Sequence, residues 1–297
     1  MKKTLLCLAL VGCQALLNAQ TNEGELIKRT AETEKKAADN SNLGWKKVGN
    51  FNFLFNQSAF NNDWRAGGTS SVAGNLNLNY DFNFKSENLI WDNKVIAAYG
   101  LTKLKDANVQ KSDDRLMFSS ILGKKASGYW FYSAFLDFKT QMDSGFDGKT
   151  GAKISHFFSP AYLQVGPGMM WKKHDNFKFN IAPATAKMVL VHSHFTELGS
   201  SFGVQQGKTT RFEFGAGLQG YYKCKLMDNI TWENILNLYS NYLDKPQNVD
   251  IDYQANLSMK VNKYITTNLA FQAIYDDNAV GAFQVREVFG LGFNYAF

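Results

Sequence analysis

Three short motifs contain residue types that could support chemistry. Residues 215–220 spell G-x-G-x-x-G, the dinucleotide-binding motif, which requires a strand before it and a helix N-terminus after it. Apolar side chains continue at every second position through this motif, which predicts an uninterrupted strand. We therefore interpret the glycines as small residues that relieve crowding in a β-structure.

Histidines and aspartates offer possible metal ligands. His192 and His194 flank a single serine, so on a strand both imidazoles would share a face and could bind Zn or Cu, but no third ligand lies beside them. Residues 276–278, and Asp143 with Asp147, carry oxygen ligands that suit Ca²⁺, but without the spacing of a calcium loop. We expect no metal site and no cofactor.

A serine beside a histidine could provide a nucleophile and a base. Ser155 precedes His156, and Ser193 lies between two histidines. Because adjacent side chains on a strand point to opposite faces, an extended backbone would separate each pair. The sequence therefore predicts that the protein is not an enzyme.

From Trp45 onward, polar and apolar side chains alternate along most of the chain. Residues 75–84 alternate strictly between polar and apolar side chains, and residues 289–297 place apolar or aromatic ones on every odd position. Similar segments recur from Trp45 to the end, which makes twelve strands with one apolar and one polar face. A water-soluble β-sandwich would have a dry core, whereas here the face opposite the apolar one is rich in Asn and charged residues. The pattern predicts an all-β fold, a transmembrane antiparallel β-barrel of about 12 strands.

The predicted connections alternate between short and long. Short turns are expected to face the periplasm and long loops the outside, with both termini on the periplasmic side. The long connections are predicted at residues 60–68, 103–112, 141–160, 187–208, 243–249 and 276–282.

The N-terminal segment predicts export. Lys2 and Lys3 precede an apolar run that ends in Leu-Asn-Ala, so we expect residues 1–19 to be a signal peptide; a lipoprotein cleaved before Cys13 is the alternative. Residues 20–44 are predicted to form a polar periplasmic leader and residues 45–297 the barrel. Cys224 would be the single cysteine of the mature chain, which excludes an intrachain disulfide.

Composition excludes other classes. The mean hydropathy is −0.29 and the body of the chain has no second long apolar run, so helical membrane spans are not expected. The net charge of +6 is dispersed among acidic residues, which argues against a nucleic-acid surface.

Three motifs carry a family resemblance. They are D-W-R-A-G-G-T-S-S at residues 63–71, L-I-W-D-N at 89–93 followed by Y-G-L at 99–101, and K-S-D-D at 111–114. In this order, over residues 45–146, they resemble a Bacteroidota outer-membrane family defined as a domain of unknown function (DUF3078-like). The resemblance implies the cell outer membrane and brings no activity and no site residues.

The candidate site is the set of charged residues on the polar face, which we expect to line the lumen. Fixed charges of both signs can orient a polar solute or set ion preference, but in a narrow barrel they can also pair and close it. The predicted lumen-lining residues are Asp92, Lys94, Arg115, Asp137, Lys139, Arg211, Glu213, Glu233, Asp252, Lys260 and Arg286.

Two further expectations concern partners and function. Phe293, Tyr295 and Phe297 form the outward row of the last strand, which resembles the signal read by barrel-assembly machinery. Besides that machinery and outer-membrane lipid, another envelope protein is a possible partner. The leading hypothesis is passive passage or binding of a small polar or amphiphilic solute. The alternatives are a non-conducting structural or assembly partner of envelope machinery and, third, an outer-membrane lipid-modifying enzyme.

Overall fold

The barrel predicted from the alternation is present in the structure. The computed structural model describes residues 43–60, 69–147, 150–279 and 281–297. The predicted signal peptide, residues 20–42 of the leader and residues 61–68 of the first long connection lie outside the described residues. Within the described ranges, twelve antiparallel strands form a closed barrel, which confirms the predicted fold class.

Fourteen strands are present in the described ranges, twelve in the barrel wall and two in a loop hairpin. In chain order they are β1 (Gly44–Ser58), β2 (Ser71–Lys85), β3 (Leu89–Leu104), β4 (Gln110–Ser127), β5 (Trp130–Thr140), the hairpin strands β6 (Gly145–Phe146) and β7 (Lys153–Ser155), β8 (Ala161–His174), β9 (Phe177–Leu190), β10 (Thr210–Met227), β11 (Ile230–Asn241), β12 (Val249–Lys260), β13 (Ile265–Tyr275) and β14 (Gln284–Ala296). Each barrel strand pairs with the next one along the chain, and β14 closes on β1. In the described part of the chain, no helix is long and apolar enough to cross a membrane.

Large apolar side chains cover the outside of the wall. Phe289 and Phe293 on β14 are 60% and 65% exposed, which would be costly in water and is expected against hydrocarbon. Near the ends of β1 and β3, Trp45 lies 5.6 Å from Trp91, part of an aromatic belt of the kind found at membrane interfaces. The protein is therefore an outer-membrane β-barrel.

The interior is polar. Glu213, Lys187 and Asn180 are among the most buried side chains of the described residues, each 4% exposed or less. Since buried charges are tolerated only when they are paired, the interior must contain ion-pair and hydrogen-bond networks.

Short turns lie at one end of the barrel together with both barrel termini, and longer connections lie at the other. We call these the turn end and the loop end. The turns comprise residues 86–88, 128–129, 175–176, 228–229 and 261–264. Which end faces the periplasm stays a prediction.

Two of the predicted loop boundaries were wrong. β9 does not stop near residue 181 but continues to Leu190, so the loop predicted at 187–208 spans residues 191–209. Pro183 and its alanine neighbours interrupt the apolar alternation, while the strand continues through an irregularity in its register with β8 and β10. The loop predicted at 103–112 is only residues 105–109, because β3 and β4 both extend into it.

Candidate functional site in the barrel interior

The turn-end half of the interior is crossed by an ion-pair network that we call the turn-end layer. Lys94 on β3 lies 3.3 Å from Asp81 on β2 and 3.4 Å from Glu233 on β11. The Tyr221 hydroxyl donates to Oε1 of Glu233 at 2.8 Å. Because β3 and β11 are six strands apart in a twelve-stranded wall, the pair of Lys94 and Glu233 spans the lumen at this level.

Asp92 extends the turn-end layer. Its carboxylate lies 2.8 Å from the ammonium of Lys172 on β8 and 2.7 Å from that of Lys178 on β9. Asp92 is almost fully buried, and two lysines compensate its charge. The layer therefore links β2, β3, β8, β9, β10 and β11 through side chains.

Hydrogen-bonded amides lie in the middle of the interior. The Gln219 side chain donates to Asp137 and accepts from Asn180, both at 2.8 Å. Nearby, Lys139 on β5 lies 2.6 Å from Asp252 on β12, five strands away around the wall. This second bridge crosses the lumen on the loop-end side of the turn-end layer and narrows the lumen there.

Lys187 organises a third network at the loop end. Its ammonium lies 2.7 Å from Asp250, 3.4 Å from Glu213 and 3.5 Å from Asp276. Lys187 is not among the predicted lumen-lining residues, because it falls within the predicted loop of residues 187–208. Strict alternation from Phe179 would have placed Lys187 on the outer face of β9, whereas the register irregularity near Pro183 shifts the parity and turns its side chain inward.

The same network contains the acidic group that comes nearest to a metal site. Among the described residues, carboxylate oxygens of Asp250, Asp276 and Asp277 lie within 4.8 Å of one another. Lys187 already contacts two of these carboxylates and supplies the positive charge that a cation would provide. Lys187 therefore balances part of the negative charge of this cluster.

Arginines form two further pairs at the loop end. Arg211 pairs with Glu213, and its Nη1 donates to the Gly203 carbonyl of the long loop at 3.1 Å. Asp113 lies between two guanidinium groups, at 3.2 Å from Arg115 Nε and 2.7 Å from Arg286 Nη1. Asp113 was not in the predicted set, although it belongs to the K-S-D-D motif that carried the resemblance.

A hydrogen bond from Tyr99 on β3 to Asp143, which we call the tether, fixes the loop of residues 141–160. The Tyr99 hydroxyl donates to Asp143 at 2.8 Å, and this bond, together with the Ser144 backbone N–H, lowers the pKa of Asp143 below its usual range. The same loop is held by Asp114, which accepts backbone N–H groups of Met142 and Asp143.

A cavity of 450 Å³ lies in the loop-end part of the interior, within the size range of small-molecule sites. Charged groups of both signs and aromatic rings line it. They include Arg115, Lys139, Asp252, Arg286, Tyr162 and Tyr239. The lining could hold a solute that has both polar and apolar parts.

The structure brings ten of the eleven predicted lumen-lining residues into these networks. The exception is Lys260, which lies at the turn-end terminus of β12, away from the cavity. Whether the predicted residues line a solute path stays a prediction. Phe293, Tyr295 and Phe297 point outward, and the backbone of Phe297 exchanges hydrogen bonds with that of Gly49 on β1.

The other motifs are not assembled into sites. β10 runs straight through residues 215–220, so the glycine motif has no helix after it. His192 caps a short 3-10 helix, Ser193–Phe195, and His194 lies within it, so neither is on a strand; the backbone N–H of His194 donates to the ring of His192. Between the described residues, no serine hydroxyl is hydrogen-bonded to an imidazole. The prediction that the protein is not an enzyme remains a prediction.

One family model matches the chain. Residues 55–146 match the model described as a protein of unknown function (DUF3078). This confirms the predicted resemblance over less than half of the chain, whereas the attribution to Bacteroidota stays a prediction. No curated protein sequence matches the chain.

Solved outer-membrane proteins are similar only in their general architecture. The translocator domain of the autotransporter NalP from Neisseria meningitidis is 8% identical, with 94% of this chain and 98% of that chain covered and a TM-score of 0.33. The COG4313 outer membrane channel from Pseudomonas putida F1 is 10% identical, with 86% and 95% covered and a TM-score of 0.38. The beta domain of the Bordetella autotransporter BrkA is 10% identical, with 86% and 100% covered and a TM-score of 0.32. These similarities assign neither a solute nor an activity.

Proposed function

We propose that the protein binds a small polar or amphiphilic solute in the loop-end cavity and admits it to the lumen, which the turn-end layer closes at rest. The observation that carries this proposal is the position of the cavity directly above side chains that bridge opposite walls. A solute entering from the loop end would meet charged groups of both signs and aromatic rings before it met the closed layer.

The bridge between Lys94 and Glu233 supports closure at rest. The two charged groups are buried and paired with each other, so neither is solvated by water. Separating them would require both charges to be solvated again. Passage along the lumen therefore requires rearrangement of a few side chains, with no movement of the strands.

Planar-bilayer conductance tests the proposal. The wild-type barrel should carry little steady current, and Lys94→Ala with Glu233→Ala should open a steady conductance, because both charges and both long side chains are removed together. The matched control, Lys124→Ala with Asp228→Ala, makes the same charge change at two exposed positions, one near the turn end of β4 and one in a turn, and should behave as wild type. A large steady current in wild type, or no current in the opened variant, would contradict the proposed lumen path.

The second candidate function is a non-conducting barrel that serves as a structural or assembly partner of envelope machinery. The closed interior favours it as well, since three networks of paired charges connect most of the wall. An opened variant without current, in a barrel that inserts normally, would support this alternative.

A further inference from the structure

The closing seam of the barrel is much shorter than the other seams. The ladder between β1 and β14 joins residues 50–55 to residues 291–296, six residues on each strand. Among the described residues, every other pair of neighbouring barrel strands is joined over ten to fifteen residue pairs. Among the described residues, the loop-end stretch of β14, residues 284–290, is therefore paired through its backbone with β13 alone.

The short seam adjoins the cavity. Gln284 and Arg286, which lie on this unpaired stretch of β14, are also part of the cavity lining. Where the ladder ends, Gly290 and Gly292 provide no side chain on the inner face of β14, and the apolar side chain of Leu54 packs beside them. Near the point where the two strands separate, the inner face of β14 is thus covered by Leu54 alone and by no side chain of Gly290 or Gly292.

Polarity changes across the seam in the way that an amphiphile requires. On the outside, Val285 and Phe289 are 63% and 60% exposed towards lipid. On the inside, Arg286 and Arg115 share the carboxylate of Asp113, which Arg115 contacts through its Nε, and the Nε atom of Arg286 is buried without a hydrogen-bond partner among the described residues. Two guanidinium groups that share one carboxylate, one of them with an unpartnered Nε donor, suit an anionic head group, because guanidinium and carboxylate form paired, charge-assisted hydrogen bonds.

We propose that the loop-end half of the β1–β14 seam is a lateral passage between the cavity and the membrane, and that its ligand is a single-chain amphiphile with a carboxylate head. The head group binds Arg115 and Arg286, and the acyl chain extends past Leu54 through the seam into lipid. The ion pair from Arg286 on β14 to Asp113 on β4 reaches across three intervening strands and closes the inner side of the passage when no ligand is bound. This inference rests on the proposed function and names its class of solute.

A reversible disulfide across the seam tests the passage. Continuing the register beyond Phe55 places Gln57 opposite Phe289, so Gln57→Cys with Phe289→Cys, in a Cys224→Ser background, would lock the unpaired part. The control is Thr267→Cys with Leu291→Cys, which links β13 and β14 where they are already paired. The probe is a photoactivatable stearic acid with a diazirine on its acyl chain, added to the barrel in phosphatidylcholine nanodiscs.

We expect the probe to label interior residues in the reduced seam variant and in both redox states of the control, and to lose this labelling when the seam disulfide forms. Unchanged interior labelling after locking would overturn the lateral passage. Because each variant is compared with its own reduced form, and heat-modifiable migration checks its fold, loss of labelling by misfolding is recognised.

Arg286→Gln tests the head-group assignment. It should lower labelling by the acid about tenfold, the size of one charge-assisted hydrogen bond, and leave labelling by the matching stearyl alcohol unchanged. Equal effects on acid and alcohol would overturn the carboxylate assignment. The conductance of the Lys94→Ala, Glu233→Ala barrel does not depend on the seam, so it reports separately whether the proposed lumen function fails.

Discussion

Lys94 and Glu233 lie on β3 and β11, opposite each other across the barrel, and their charged groups are 3.4 Å apart. Each side chain therefore extends to the middle of the lumen, where Tyr221 also donates to Glu233. This arrangement makes the lumen a set of stacked polar networks with a cavity at one end. This arrangement can be tested by measuring the stability of the barrel and the accessibility of named positions to reagents.

The pair of Lys94 and Glu233 should behave as a coupled unit. Lys94→Met leaves a buried carboxylate without its main cation and should destabilise the barrel by about 3–5 kcal/mol, whereas Lys94→Met with Glu233→Gln should cost clearly less. Urea unfolding of the lipid-reconstituted barrel measures both values. Additive effects of the two substitutions would show that the bridge is absent in the membrane.

Arg211 and Glu213 provide a test of charge pairing at the loop end. Arg211→Glu places two carboxylates side by side and removes the bond to the Gly203 carbonyl, so the melting temperature should fall markedly. The exchanged variant, Arg211→Glu with Glu213→Arg, should recover part of the loss. A stable single variant with altered ion selectivity would instead mean that Arg211 lines an open pore.

The topology can be tested on intact cells. Cysteines placed singly at Asn108 and Gln247, at the loop end, should react with an impermeant thiol reagent, and a cysteine at Asn88 in a turn should not. All three positions are tested in a Cys224→Ser background. Reaction at Asn88 alone would place the turn end outside.

The C-terminal residue closes the barrel. Phe297 exchanges two backbone hydrogen bonds with Gly49, at 2.7 and 2.9 Å, and its ring stacks on Tyr80 at 6.1 Å. Deleting Phe297 should lower the membrane-inserted, heat-modifiable fraction, while Phe297→Tyr should retain it. Equal insertion of all three proteins would show that the residue is not needed for assembly.

The tether of Asp143 predicts a response to acid. Because the pKa of Asp143 is lowered in the folded protein, the tether contributes fully above the ordinary carboxyl pKa and is lost as the pH falls through the lowered value. The rate of pepsin cleavage within residues 141–160 should therefore rise as the pH falls below the ordinary carboxyl pKa of about 4, by more than the pH dependence of pepsin itself explains. Tyr99→Phe should cleave fast throughout this range, and a wild-type rate that follows pepsin activity alone would contradict the tether.

The wall of this protein could be predicted from its alternating side chains. A period of two with aromatic residues on one face is a local property, and lipid on one side and a polar interior on the other require it in every strand. The number of strands, the end at which each connection lies and the inward parity of residues such as Lys94 and Arg286 followed from that pattern. It failed at Pro183, where a register irregularity restores a strand that the local pattern interrupts.

Which charges meet in the lumen could not be predicted from the sequence. Lys94 and Glu233 are 139 residues apart in the chain, and their contact depends on the curvature of the wall and on the strand order, which no local pattern encodes. The same holds for the position of Lys187 among three carboxylates and for the short β1–β14 ladder, since both arise when the barrel closes. The sequence therefore predicted a polar lumen, while the closure of the wall determined that its charges pair and leave a cavity at the loop end.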